Sequence, residues 1–415
     1  MVAMEPPLSE MAQRVLAELD PRDPEFATRA VDRTLAGGRS HGASDLHLQP
    51  TPEGLEVRFR VDGVLQPGGA FPRKVAANIV ARLKVLAELL TYRTDVPQEG
   101  RIRVAETSVE MRVSTFPTLH GERAVVRFFA GTEKYQRLDD LGLPDDVLAR
   151  LRMLLEETSG AILAVGPAGS GKTTTAYACL RELAARPGIV RSLVSIEDPI
   201  EAAVRGAAQS QVDAKVGLDL ATGLRFLMRQ DPEVILVGEI RDRATADAAF
   251  QASLTGHLLL STSHAGSAAE AISRLSDMGI EPYVLRSGVL AILCQRLVRR
   301  LCDCAQFTDA PEARLGLPVE RVRVPVGCGK CSGTGYQGRF LLVEMLTPER
   351  TELGRAILSR SDAAALERLA AGGGMVTRWQ RACRALGDGL TSPAEIRRAL
   401  GFADTPADAP KLPNP

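Results

Sequence analysis

The segment Gly166-Pro167-Ala168-Gly169-Ser170-Gly171-Lys172-Thr173-Thr174 is where this chain first offers chemistry. Its pattern, Gly-(x4)-Gly-Lys-Thr, is that of a phosphate-binding loop. Gly166 and Gly171 free the backbone to turn its N–H groups inward around a polyphosphate. Lys172 supplies a cation for the β- and γ-phosphates, and the Thr173 hydroxyl is a ligand for Mg²⁺. An apolar run enters the loop and a helical pattern leaves it, so the positive end of a helix faces the same anion. A chance glycine-rich turn would lack that flanking order.

Two acidic strand ends can complete such a site. "VILVGEIRD" puts Glu239 just past an apolar run, and "SIEDPIE" puts Glu197, Asp198 and Glu201 past another. A carboxylate at a strand's C-terminal end, in the sheet that carries the loop, can polarise an attacking water or orient Mg²⁺. The alternative for Glu239 is an exposed glutamate at a helix start. Of five histidines, His257 and His264 bracket "LLLSTS". They are either satisfied strand residues or donors toward phosphate.

"LCDC" and "GCGKC" supply Cys302, Cys304, Cys328 and Cys331, two pairs 24 residues apart. Such a set suits a closed tetrahedral Zn²⁺ site. The first pair is C-x-C, one residue shorter than the usual ligand spacing, and the alternative is four unligated thiols. Cys179, Cys294 and Cys383 stand alone and read as small buried hydrophobes.

These groups need a parallel sheet to hold them. "AILAVG" (161–166), "SLVSIED" (192–198), "VILVGE" (234–239) and "HLLLSTS" (257–263) are short, nearly continuous apolar runs, as strands covered on both faces require. Helical segments such as "TTTAYACLRELAA" and "TADAAFQAS" separate them, which predicts an α/β nucleotide-binding core over 146–300. Before it, 35–130 reads as a small α+β domain. Val57, Phe59 and Val61 alternate with Arg58, Arg60 and Asp62, and Asp62-Gly63 predicts a hairpin turn. "VAANIVARLKVLAELL" is helical, and "GRIRVA" with "VEMRVSTF" reads as a further hairpin.

Residues 1–34 read as a flexible or helical segment, followed by a flexible "GGRSHG". Residues 131–145 read as a polar, turn-rich linker. A cysteine-bearing insert is expected over 301–345, a helical region over 346–400, and a Pro-rich disordered tail over 401–415.

The 415 residues are 45% apolar and 25% charged, ordinary for a soluble protein of two or three domains. Lys plus Arg equals Asp plus Glu at 51 each, so there is no general attraction to nucleic acid or anionic lipid. Aromatic residues, at 4%, leave little for stacking bases. "MVAMEPPLSEMAQRV" lacks a signal peptide's basic start and apolar run, and no uncharged apolar stretch reaches roughly 18 residues. A cytoplasmic protein that meets a membrane only through partners is expected.

Taken in order, "ASDLHLQP", "VRFRVDGVL", "PQEGRIRV", "MRVSTFPTLHGERAVVRF", "GPAGSGKTTT", "SIEDPIE", "GLRFLMRQDPEVILVGEIRD", "LTGHLLLSTSHA" and "GYQGRFLLVEML" resemble one family. It is the secretion ATPases that power type II secretion and type IV pilus assembly. The resemblance implies a RecA-like core preceded by a PAS-like domain, with ATP as substrate and Mg²⁺ beside it. It gives Lys172 and Thr173 the Walker A role and Glu239 that of the Walker B catalytic carboxylate. Glu197 falls in the aspartate box, near Mg²⁺ and the attacking water. His257 and His264 fall on the histidine box, with His257 expected to act at the phosphates. Arg101 in "EGR" and Arg112 in "MRVST" match arginines that the N-terminal domain brings to the nucleotide.

The same resemblance implies a hexameric ring working with inner-membrane platform and docking proteins. A four-Cys insert belongs to assembly and export motors rather than retraction motors. The family's extended N-terminal docking domain is expected to be missing, since about 40 residues precede "ASDLHL". Two rival readings are a nucleic-acid translocase, which DNA-stimulated hydrolysis would reveal, and a non-catalytic nucleotide-gated scaffold, which a steady-state ATPase assay separates.

Overall fold

The computed structural model describes residues 8–103, 110–128, 135–186, 188, 190–348 and 352–402. The chain divides into two compact units, Met1–Gly131 and Thr132–Pro415, each with its own apolar core.

In the first unit, helices α1 (Met11–Glu18) and α2 (Phe26–Ser40) lead into strands β1 (Asp45–Pro50), β2 (Gly54–Val61) and β3 (Val64–Pro72). Helix α3 (Arg73–Leu86) and strands β4 (Gln98–Arg103), β5 (Glu110–Thr118) and β6 (Gly121–Phe128) follow. The strands form one six-stranded sheet in the order β3-β2-β1-β6-β5-β4. Alternation decides its faces: Leu46, Leu48, Val57, Phe59, Val113 and Val126 are buried, while the intervening polar residues face away. Asp62 and Gly63, at φ 49° and 81°, make the expected two-residue turn.

The segment expected as flexible or helical contains two helices, and their Met11, Val15, Phe26, Val31 and Leu35 lie in this unit's core. Around residue 37 the chain differs from the expectation. "GGRSHG" begins as the end of α2 rather than as a flexible stretch. Gly38 is there for contact: a Cβ on it would lie 2.8 Å from the Phe128 ring and 3.1 Å from that of Phe59. Helix and sheet can approach only because the side chain is absent.

The second unit begins with α4 (Asp145–Leu154), β7 (Gly160–Val165), α5 (Lys172–Ala184), β8 (Leu193–Glu197) and β9 (Ala207–Gln211). Then come α6 (Leu220–Leu227), β10 (Val234–Val237), α7 (Arg243–Leu254), β11 (Leu258–Ser263), α8 (Ala268–Asp277) and α9 (Pro282–Gly288). Strands β12 (Val289–Leu301), β13 (Gln306–Thr308), β14 (Val322–Val324) and β15 (Tyr336–Leu346) precede helices α10 (Glu352–Leu358), α11 (Ala363–Gly372), α12 (Arg378–Gly387) and α13 (Pro393–Leu400). The seven-stranded sheet runs β15-β12-β7-β11-β10-β8-β9, parallel except for β15.

All four predicted core strands are present, and their continuous apolarity has the expected cause. Ala161, Leu163 and Val165 join one core with α7 and α8, while Ile162 joins another with α4 and α5. Both faces are covered, so neither position can be polar. Burying each such leucine contributes about 1.5–3 kcal/mol.

Where the boundaries were expected, the core continues. Leu138, in the expected linker, is fully buried with Leu143, Val147 and Leu151. β12 runs past residue 300, and β15 inside the expected 301–345 insert is a strand of the main sheet; only the small β13–β14 sheet and the cysteine turns lie between. Arg296, Arg299 and Arg300 break the apolar run of β12, which hid it. Of the 401–415 tail, all but Gly401 and Phe402 lie outside the described residues. Among the described residues no helix is long and apolar enough to cross a membrane.

Candidate active site

Six residues separate the end of β7 from the start of α5, and they form the phosphate loop. Gly166, Gly169 and Gly171 adopt φ of 149°, 73° and 93°, open to glycine at little cost. Gly166 is doubly fixed, since a Cβ there would lie 2.5 Å from the Gln295 carbonyl oxygen. No side chain caps α5, so its first-turn N–H groups are left to the loop.

Lys172 Nζ donates to the carbonyls of Gly166 at 2.9 Å and Pro167 at 3.0 Å, which lays the cation across the loop. Burial pulls the Lys172 ammonium below its ordinary pKa; the charge of Glu239 opposes this and that of Arg296 adds to it. Ser170 Oγ is buried without a hydrogen-bond partner. Thr173 and Thr174 stand half-buried on the first helical turn. This donor set fits a polyphosphate with Mg²⁺ at the Thr173 hydroxyl.

Glu239 follows β10 by two residues and comes within one side chain of the loop. His264, just after β11, places Nδ1 3.5 Å from Lys172 Nζ and Nε2 3.0 Å from Glu239 Oε1. Glu239 Oε2 accepts from Arg241 Nε at 2.8 Å, while Oε1 is buried without an aligned hydrogen bond. A carboxylate oxygen with a free lone pair, held rigidly near a phosphate loop, is equipped to accept a proton from water.

Glu197 is held differently. Its buried carboxylate accepts from the Tyr177 hydroxyl, from Ser195 Oγ at 2.6 Å and from Gln209 Nε2 at 3.0 Å. Burial and the neighbouring carboxylate push the Tyr177 hydroxyl far above its usual pKa, so it stays a donor. Of roughly four lone-pair sites on a carboxylate, three are engaged, which leaves Oε2 one for a water-mediated metal contact.

His257 is not at the loop of its own chain. It precedes β11, whose first residue pairs with Gly160 and whose last pairs with Val165. That places it at the opposite end of a six-residue strand, roughly 20 Å from the phosphate loop. Its Nδ1 lies 3.0 Å from the Ala252 carbonyl, a contact that closes the end of α7. The histidine that reaches Lys172 and Glu239 is His264.

Arg101 and Arg112 sit opposite each other on β4 and β5, and Arg112 faces Arg127 on β6. Glu99 pairs with Arg112 at 2.7 Å and Asp45 with Arg127 at 3.1 Å, offsetting repulsion across the row. Both arginines belong to the first unit and the loop to the second.

The four cysteines converge. Sγ–Sγ separations are 3.8 Å for Cys302–Cys328, 3.9 Å for Cys304–Cys331 and 3.8 Å for Cys328–Cys331. All four sulfurs lie within 4.8 Å of one another and could hold a metal ion. A tetrahedron with metal–sulfur bonds of about 2.3 Å has edges of about 3.8 Å, so the shortened C-x-C spacing does not spoil the geometry. Burial would raise the Cys331 thiol, but N–H groups of Cys328 and Gly335, both 3.2 Å from its sulfur, outweigh this and bring it to about 7. Cys179, Cys294 and Cys383 are buried free thiols, as expected.

Motif reading missed several members of the site. Arg241 was visible in "GEIRD". Tyr177, Ser195 and Gln209 carry no local signal, because only the fold brings them to Glu197. Gln295 donates to Thr175 Oγ1 at 2.8 Å and backs the loop.

A parallel-sheet core that holds a glutamate one histidine away from a phosphate loop is built to hydrolyse a nucleoside triphosphate. The family described as Type II/IV secretion system protein matches residues 20–398, and the chain belongs to it, as a secretion-type ATPase. The type II secretion system protein E of Pectobacterium carotovorum subsp. carotovorum is 42% identical over 387 residues, covering 92% of this chain and 77% of its own. The type II secretion system ATPase E of Vibrio cholerae is 42% identical over 337 residues, 79% of this chain and 66% of its own. The solved structure of the Legionella pneumophila ATPase DotB shares the fold, with a TM-score of 0.67 and 21% identity over 91% of this chain and 97% of that one.

Proposed function

We propose that this chain is a cytoplasmic motor that hydrolyses ATP to drive assembly of a pseudopilus or type IV pilus. The observation that supports this reading best is the contact path Lys172–His264–Glu239, which ties the phosphate loop to a proton-accepting carboxylate. Backbone N–H groups of 166–174 and the Lys172 ammonium bind the β- and γ-phosphates. Glu239 takes the proton of the attacking water, His264 holds Glu239 in place, and Arg241 fixes its second oxygen. Mg²⁺, carried by the Thr173 hydroxyl with Glu197 acting through water, supplies charge neutralisation on the phosphates.

Arg101 and Arg112 deliver further positive charge to the γ-phosphate from the smaller unit, within a hexameric ring whose nucleotides sit at subunit junctions. Zn²⁺ on the four cysteines has a structural role, and the insert that carries it favours assembly or export over retraction. The partners are platform and docking proteins at the inner membrane. The test is steady-state ATP turnover with nucleotide binding measured in parallel. Lys172→Ala should abolish turnover and weaken binding; unchanged affinity would remove the loop from the account.

A further inference from the structure

The four-residue connection His264–Ser267, between β11 and α8, carries the histidine that bridges Lys172 and Glu239. Its backbone carbonyls are held by three arginines, the buried Arg378, the half-buried Arg296 and the exposed Arg274. The Gly266 carbonyl accepts from Arg296 Nη2 at 3.0 Å and from Arg378 Nη1. The His264 carbonyl accepts from Arg274. Arg378, the first residue of α12, is 8% exposed and pairs through Nε with Glu344 at 3.0 Å; Glu344, on β15, is 1% exposed. Glu344 also accepts from the Ala268 N–H at 3.0 Å, the first residue of α8, and from the Arg378 N–H at 3.2 Å. The carboxylate therefore grips α8 while its arginine partner grips the loop two residues past His264.

Buried ion pairs are poor sources of stability, because desolvation offsets much of their attraction. Apolar packing would serve α12 as well; its neighbours Trp379, Ala382 and Leu386 already pack against Val298 and Leu342. What the charges add is direction: a guanidinium fixes a carbonyl oxygen in place as an aliphatic side chain does not. The contact that depends on this direction is close to its limit, with His264 3.5 Å from Lys172.

We propose that Arg378 and Glu344, contributed from the C-terminal part of the chain, are positioning residues for hydrolysis. They hold the Gly266 carbonyl and the start of α8, and so keep His264 between Lys172 and Glu239. Neither residue touches nucleotide; both act through His264. The inference rests on the hydrolytic reading of the site.

The test uses the full chain with the paired substitution Arg378→Met and Glu344→Gln, which removes both members of the buried ion pair together. ATP turnover, affinity for a fluorescent ATP analogue and the thermal midpoint are measured in the native and His264→Gln backgrounds. In the native background turnover should fall by on the order of 10²-fold, as loss of alignment produces, with affinity changed less than about threefold. In the His264→Gln background the same pair should remove less than about twofold further, because the two sites act through one group. Undiminished turnover, or an equal loss in both backgrounds, would overturn the proposal. If the double variant does not fold, Arg378→Lys, which keeps a cation beside Glu344 but cannot hold both Glu344 and the Gly266 carbonyl, carries the same expectation in the same cycle. Failure of the hydrolytic reading shows separately, as normal turnover in Glu239→Gln.

Discussion

Replacing Tyr177 by phenylalanine removes one oxygen from the interior of the second unit and takes from the buried carboxylate of Glu197 the donor on Oε2, leaving Ser195 and Gln209 on Oε1. The hydroxyl donates to Glu197 and accepts from the N–H groups of Glu201 at 3.0 Å and Ala202 at 3.4 Å. A hydrogen bond to a charged group contributes about 1.5–3 kcal/mol, and two half-buried N–H groups left to find water add part of one bond each. The expected loss is about 2–4 kcal/mol. Guanidinium unfolding followed by fluorescence reads it directly, because the only tryptophan, Trp379, is buried in the same unit. The effect has a pH signature as well. The folded-state pKa of Tyr177 is raised, so its contribution is complete below the unfolded value near 10 and declines as pH rises above it. The phenylalanine variant should lack that part of the alkaline slope. A loss under about 0.5 kcal/mol, with the alkaline slope unchanged, would refute the hydrogen-bonded account of Glu197.

Glu395 is fully buried; burial would raise its carboxyl pKa, but Arg398 and Arg299 outweigh this and hold it below the usual range. Stability from this pairing is present above about pH 4.3 and lost as pH falls through the depressed value. Glu395→Gln should therefore lower the urea midpoint strongly at pH 7 and narrow the gap to the native chain at pH 3–4; a constant gap would contradict it. His257→Ala should leave turnover within about twofold, as substitutions away from a site do. His264→Ala should cost on the order of 10²-fold by releasing Glu239, and the reverse ranking would restore His257 to the site. Elemental analysis should find one zinc per chain, lost in Cys328→Ser. Four freely titrating thiols at 302, 304, 328 and 331 in the native chain would exclude a metal centre.

Much of this was legible because it was local. Continuous apolar runs announced β7, β8, β10 and β11, and the loop between β7 and α5 is written in consecutive residues. Strand β12 was hidden because its arginines serve neighbours from other elements: Arg296 holds Gly266, and Arg299 pairs with Glu395. The flexible reading of "GGRSHG" failed because glycine reads as flexibility, yet Gly38 is there for contact with Phe59 and Phe128. Of the two histidines, spacing could not choose. Only the direction of β11 relative to β7 assigns one to the phosphate end of the sheet and the other to its far end.

Glu239→Gln tests the central claim most directly. The amide keeps the side chain's size and one acceptor for Arg241, but it carries no basic oxygen to accept the proton of water. Affinity for ATP should remain within a few-fold of native while turnover drops by on the order of 10²–10⁴-fold. Near-native turnover in that variant would contradict hydrolysis by the carboxylate at the phosphate loop.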